Sequence, residues 1–154
     1  MVFLLFQIGA DRYGIEISRV EEVLPRVGLK TIPQAPPGVA GVFNYHGSPV
    51  PVIDLSALAL GRPAHGSLST RLVVVNYPTD GGEPRLLGLL AEMATRTARF
   101  EREDFREPGI GAAGAPYLGP VADDGGSLVQ WVRVEQLLTP EIGELLWRQA
   151  GEAA

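Results

Sequence analysis

Glycine and proline interrupt this chain so often that no architecture of long helices fits it. Its 154 residues include 19 glycines and 13 prolines, about one residue in five, where an average protein has roughly 12%. Proline removes a backbone donor and glycine adds chain entropy, so neither suits the interior of a long helix. A hydrophobic fraction of 45% argues equally against disorder, because that much apolar surface offsets the entropy lost on ordering. The expectation is one domain, or two small ones sharing a core, built from short and strongly bent elements.

The local patterns favour strands. Val2 to Ile8 is an unbroken apolar run, as in a strand buried on both faces. Gly9-Ala10-Asp11-Arg12 supplies turn residues, and Tyr13, Ile15 and Ile17 alternate with small or polar neighbours, which predicts a hairpin. Ser18 and Glu21 have capping-box spacing for one helical turn that buries Val20, Val23 and Leu24 and exposes Glu21 and Glu22. Pro33, Pro36 and Pro37 predict an extended surface loop. Val39 to Tyr45 and Pro49 to Ile53 read as strands around a His46-Gly47-Ser48 turn, with Pro49 and Pro51 turning their missing N–H groups to an unpaired side. Asp54 or Ser56 caps a short helix to Leu60, which Gly61-Arg62-Pro63 stops.

Residues 62–70, small and polar, predict a mobile connection. Leu72 to Tyr77 and Leu86 to Leu90 flank a hairpin loop at 78–82, and an alternating segment follows from Met93 to Phe100. Glu101 to Glu107 reads as a solvated loop or turn, and Gly109 to Gly114 as a flexible connector. Tyr117 to Val121 and Leu128 to Val134 form another hairpin around Asp123-Asp124-Gly125-Gly126. Thr139 as N-cap, Pro140 at N1 and Glu141 at N2 open a C-terminal helix with Ile142, Leu145 and Leu146 on one face. Nine or ten strands with short helices make the class all-β and barrel-like.

Little in the composition supports catalysis. The chain has no cysteine, which excludes disulfides, thiolate metal sites and cysteine nucleophiles. Two histidines, His46 and His65, are too few for a multi-histidine metal centre. A net charge of −5 and a pI near 5.0 leave no electrostatic footprint for nucleic acid. No apolar stretch nears the roughly 20 residues that span a bilayer, and the N-terminal run is too short for a signal sequence; the expected compartment is the cytosol. Glu21-Glu22, Glu103-Asp104 and Asp123-Asp124 are adjacent acids that do not converge on a pocket. His46 and Asp54 could serve a serine nucleophile, but no Gly-x-Ser-x-Gly elbow accompanies them. Gly109-x-Gly111-x-x-Gly114 spells a dinucleotide fingerprint without a strand before it or a helix after it. Trp131 and Trp147 read as packing residues.

Five segments in series carry a resemblance. Tyr13-Gly14-Ile15-Glu16-Ile17, Val20-Glu21-Glu22-Val23, Ile32-Pro33-x-x-Pro36, Gly41-Val42-x-Asn44-Tyr45-x-Gly47 and Pro51-Val52-Ile53-Asp54-Leu55 resemble the CheW-like domain in order and spacing. Gly88-Leu89-Leu90-Ala91-Glu92 and Leu128 to Leu138 continue it, with Glu92 where the family usually has aspartate. The resemblance implies two intertwined five-stranded SH3-like β-barrels with short helices and a C-terminal helix. The first barrel would span roughly 13–70 and the second roughly 71–134, with the N-terminal strand and C-terminal helix packed across them. It also implies a non-catalytic adaptor, without cofactor or metal, that joins a chemoreceptor's cytoplasmic helical tip to the regulatory domain of a CheA-type histidine kinase. Because the chain begins almost at the first strand, a stand-alone adaptor is expected, recruited to membrane-associated arrays without inserting into the membrane.

Carried over residue by residue, the resemblance implies partner contact at Val20, Glu22, Gly41, Asn44 and His46. Gly41 and Asn44 could equally serve backbone turns, and Val20 the core. Relatives usually read Asn-Leu-Arg-Gly where this chain reads Asn44-Tyr45-His46-Gly47. An arginine there suits pairing with the glutamate that Glu22 matches; a histidine keeps neither the fixed charge nor the fork of donors. Either His46 approaches Glu22 and makes partner binding weaker or pH-dependent, or it is an exposed turn residue. A second class of function remains open, a small-ligand sensor with its pocket in the cleft between barrels. A deep apolar cavity with convergent polar groups would mark it, and flat surface patches carrying Glu22 and Val20 without such a cavity would mark the adaptor.

Overall fold

The N-terminal strand has both faces covered, and its alternation sets the layering of the molecule. The computed structural model describes residues 1–79, 81–108 and 115–153. Asp80 of the 78–82 loop and the Gly109 to Gly114 connector, with its fingerprint spelling, lie outside them. In chain order the strands are β1 (Val2–Ile8), β2 (Asp11–Glu16), β3 (Val20–Pro25), β4 (Val39–Tyr45), β5 (Ser48–Asp54), β6 (Arg71–Tyr77), β7 (Arg85–Arg99), β8 (Phe105–Arg106), β9 (Leu118–Asp124) and β10 (Ser127–Val132). Helix α1 (Leu55–Leu60) follows β5, and α2 (Pro140–Ala153) closes the chain.

These strands form two SH3-like barrels that share β7. Its first half, up to Ala91, pairs antiparallel with β6 and parallel with β5; β3 and β4 extend that sheet on either side. Its second half, from Glu92, pairs with β1, which leads through β2 and β10 to β9 and β8. At the changeover Gln7 opposes Glu92 but Leu5 opposes Arg96, and Met93 has φ of 54°. The extra residues bend the strand from one barrel into the other. The sequence splits this element into Leu86–Leu90 and Met93–Phe100, because a bulge interrupts the alternation without ending the strand. Hydrogen bonding also crosses the expected division at residue 70. β6 and half of β7 complete the sheet of β3, β4 and β5, while β2 lies in the other sheet.

Burial follows the alternation. Leu4, Phe6 and Ile8 of β1 join Val73, Leu89, Val132 and Leu146 in one layer between the barrels. Phe3 and Leu5, on the opposite face, pack with Phe100, Ala122 and Val129 in a cluster belonging to the second barrel. Trp131 stands edge-on to Phe3 at 5.2 Å there. Val52, Leu72 and Leu90 form the corresponding cluster of the first barrel. Helix α2 begins as its sequence predicts, with Ile142 N–H donating to Thr139 Oγ1 at 3.2 Å. It buries Gly143, Leu146 and Ala150, leaving Ile142 and Leu145 half-buried. Trp147 is a packing residue whose Nε1–H donates to the Leu86 carbonyl at 2.9 Å.

Two local expectations are corrected. The Ser18–Glu21 capping box does not form: a 3-10 turn at Ile17–Arg19 has no side-chain cap, and Val20 to Pro25 is strand β3, because pairing with β6 offers a full ladder. Val23 is consequently exposed, not buried. The stretch read as a solvated loop or turn holds an exposed 3-10 turn at Arg102–Asp104, tied by Glu101 N–H donating to Asp104 Oδ2 at 2.7 Å, and β8 follows it. Residues 62–70 are tied down: Ala64 and Thr70 are buried, Ala64 N–H donates to Asp54 Oδ2 at 2.9 Å, and Thr70 Oγ1 donates to the His65 carbonyl at 2.6 Å. Asp54 is thus the cap of α1 and the anchor of the loop after it, accepting from Ala57 N–H at 3.1 Å as well.

Candidate functional site

β4 turns back into β5 through two residues, and that tight turn builds one wall of a groove. A two-residue hairpin loop of type I′, whose twist matches the strands, needs positive φ at both positions. His46 has φ of 51° and Gly47 of 88°, and Asn44 Oδ1 accepts from Gly47 N–H at 2.8 Å. Histidine is among the few non-glycine types that tolerate this region. Tyr45 pairs with Ser48 at the neck of the hairpin, which puts Pro49 and Pro51 on pairs that exchange no hydrogen bond with β4. Pairing of β5 with β7 starts only at Val52, so neither missing N–H interrupts a ladder.

The other wall is β3. Val20 opposes Val75 and Glu22 opposes Val74, so Glu21 is the extra residue of a bulge. Glu21 accepts from Asn76 Nδ2 at 3.2 Å, while Glu22 faces the groove. The Tyr45 hydroxyl donates to Glu22 Oε1 at 2.6 Å, and His46 Nε2 lies 4.0 Å from the same oxygen. The two rings meet edge to face at 4.4 Å. The direct partner of Glu22 is therefore Tyr45, and the His46 side chain stands outside it, 78% exposed. Donating to a carboxylate pushes the Tyr45 phenol up to about 12, because losing its proton would break that bond and set two negative charges together.

Below Glu22 and Tyr45 the groove encloses about 620 Å³ over Leu24, Val27, Val42 and Phe43, with Lys30 and Asn44 at its sides. Gly41 lies behind it. The segment before β4 bridges to it through Lys30 N–H to the Val42 carbonyl at 2.9 Å and Val42 N–H to the Lys30 carbonyl at 2.8 Å. A Cβ on Gly41 would sit 2.5 Å from the Lys30 carbonyl oxygen. Val20 packs half-buried against the shared layer. Of the five residues carried over, Glu22, Asn44 and His46 line the groove; Gly41 holds its wall, and Val20 lies in the packing beneath. Tyr45 is the residue the sequence comparison passes over. Its signal is that the departure from Asn-Leu-Arg-Gly affects two neighbouring positions, not one.

A second hollow of about 540 Å³ lies on the same barrel, beside Arg26, Ala40 and Asp54. Leu4, Phe6, Val73, Leu89 and Leu146 fill the space between the barrels where a sensor pocket would lie. Among the paired acids, Asp123 and Asp104 serve turns, accepting from Gly126 N–H at 2.8 Å and Glu101 N–H at 2.7 Å, while Asp124 accepts from Arg12 of β2 at 2.8 Å in an ion pair. Among the described residues no three His, Asp or Glu side chains gather to hold a metal ion, and no helix is long and apolar enough to cross a membrane.

Residues 2–141 match the family profile of the CheW-like domain. The chain is 28% identical to the chemotaxis protein CheW of Treponema pallidum over 144 residues, covering 87% of this chain and 79% of that one. It is 32% identical to protein FrzA of Myxococcus xanthus over 126 residues, 80% and 75% of the two chains. The fold matches the crystal structure of the scaffolding protein TtCheW from Thermoanaerobacter tengcongensis with a TM-score of 0.77 at 20% identity, over 90% of this chain and 87% of that one. With a profile that spans nearly the whole sequence and a shared strand that builds the same pair of barrels, this chain belongs to the CheW-like domain family of chemotaxis coupling scaffolds.

Proposed function

We propose that the protein is a non-catalytic adaptor that couples the cytoplasmic helical tip of a chemoreceptor to the regulatory domain of a CheA-type histidine kinase. It would work on the cytoplasmic side of membrane-associated receptor arrays. The observation that supports this most is the groove between β3 and β4. It is open and floored by apolar side chains, and its rim carries Glu22, Asn44 and His46, three of the family positions at or beside the receptor-facing surface. Grooves of this kind receive one face of an amphipathic helix. The filled layer between the barrels argues against the sensor alternative, which needs a cavity there.

Binding to the kinase regulatory domain and to receptor tips from the same genome, followed by biolayer interferometry, tests the proposal. Glu22→Arg should weaken tip binding at least tenfold and leave kinase binding unchanged. Failure of the wild-type chain to bind any such kinase domain would overturn the adaptor reading.

A further inference from the structure

We propose that Glu22, oriented by the neutral Tyr45 phenol where an arginine would cancel its charge, makes this groove selective for a partner helix carrying an arginine or lysine opposite it. The inference rests on the adaptor reading and specifies the chemistry of the helix that the groove accepts. In the pattern Asn-Leu-Arg-Gly the residue at position 46 would bring a permanent positive charge beside the glutamate. In this chain the direct donor to Glu22 is a phenol, which is neutral. A neutral donor orients a carboxylate without cancelling its charge, whereas an arginine does both.

The surrounding charges leave that carboxylate unbalanced. On β3, Glu21 adds a second negative charge and is held by Asn76 of β6. On the hairpin, the exposed His46 ring lies 4.0 Å away, beyond hydrogen-bond reach. On the segment between β3 and β4, Arg26 is turned to the His65 carbonyl. Lys30 pairs its backbone with Val42, three residues along β4 from Tyr45, or about 10 Å. It forms no ion pair with Glu22, and no donor among the described residues reaches Glu22 Oε2. The rim of the groove therefore presents one oriented carboxylate oxygen above Leu24, Val27 and Phe43. A helix laying an apolar stripe on that floor gains a charge-assisted hydrogen bond if it brings a cation there. An acidic residue at the same point meets the Glu22 carboxylate with no hydrogen bond to gain. Tyr45 acts through Glu22, so it is a positioning residue.

The probe is a soluble helical hairpin made from a receptor tip of the same organism, with each basic residue of the tip changed in turn to glutamine and to glutamate. One basic position should emerge at which the glutamate form binds the wild-type chain at least tenfold more weakly, and Glu22→Arg should restore that pair to within threefold. The double variant Tyr45→Leu, His46→Arg supplies its own cation, so its affinity should no longer depend on that position. Tyr45→Phe should keep the dependence while lowering affinity severalfold, because it frees the carboxylate without neutralising it. Binding that is indifferent to every basic residue of the tip overturns the inference and leaves the adaptor reading standing. So does an equal dependence in the double variant. If no tip binds the wild-type chain at all, the adaptor reading falls and this inference with it.

Discussion

Replacing Gly41 with alanine adds one methyl group at a place with no room for it. The residue has φ of 151°, and the new Cβ would lie 2.5 Å from the Lys30 carbonyl oxygen and 3.0 Å from Leu29 Cβ. Ordinary contact for such a carbon begins near 3.4 Å, and here the nearest atom is backbone, which cannot rotate away. The unfavourable backbone region costs about 1–3 kcal/mol. Relieving the clash pushes the Lys30 segment off β4 and opens its two hydrogen bonds, each worth about 0.5–1.5 kcal/mol net. The predicted loss is roughly 2–6 kcal/mol, which for a chain of this size lowers Tm by about 4–24 °C. Urea unfolding followed by tryptophan fluorescence reads it directly, at unchanged m-value. Gly28→Ala is the control, since it lies in the same segment with open space around it and an ordinary φ; it should change stability by less than about 0.5 kcal/mol. If Gly41→Ala is no more destabilising than Gly28→Ala, the account of the groove wall is wrong.

Two further perturbations probe the neighbouring chemistry. Absorbance titration of the phenols should show one tyrosine with a midpoint of about 12 that falls toward 10 in Glu22→Gln, while Tyr13, Tyr77 and Tyr117 stay raised by burial. Because the folded-state value of Tyr45 lies above the unfolded one, its bond to Glu22 contributes fully below pH 10 and is lost as pH rises through about 12; an identical titration in Glu22→Gln would refute the assignment. Asp54→Ala removes both the cap of α1 and the acceptor for Ala64 N–H inside the protein, so unfolding in urea should show a loss of about 2–4 kcal/mol. Asp54→Asn, which keeps one acceptor, should lose clearly less.

Much of the frame is legible in the chain because its signals are local. The run from Val2 to Ile8 announces a strand with two covered faces, and the structure covers them with different clusters. Thr139-Pro140-Glu141 and Asp54 with Gly61 mark helix ends through backbone chemistry that needs no distant partner. The Ser18–Glu21 spacing misleads for the opposite reason: a capping box stabilises one turn, while the ladder to β6 stabilises a whole strand. Nothing near Met93 says that the chain stays extended through it. Pairing with β6 on one side and β1 on the other decides that.

At the groove the same division holds. From the sequence alone come the turn at His46-Gly47 and the family pattern that draws attention to Glu22; the need for glycine at position 41 comes from the approach of the Lys30 carbonyl. The turn and the pattern depend on steric rules and residue types close together in the chain. Which side chain holds Glu22 depends on how β3 and the β4–β5 hairpin meet, 23 residues apart, and a bulge at Glu21 sets that rotation. Tertiary structure alone decides that the donor is the neutral phenol of Tyr45 and not the neighbouring imidazole. Periodicity and spacing constrain the backbone, but a hydrogen bond between two exposed side chains is set by ångström-scale placement of strands distant in sequence.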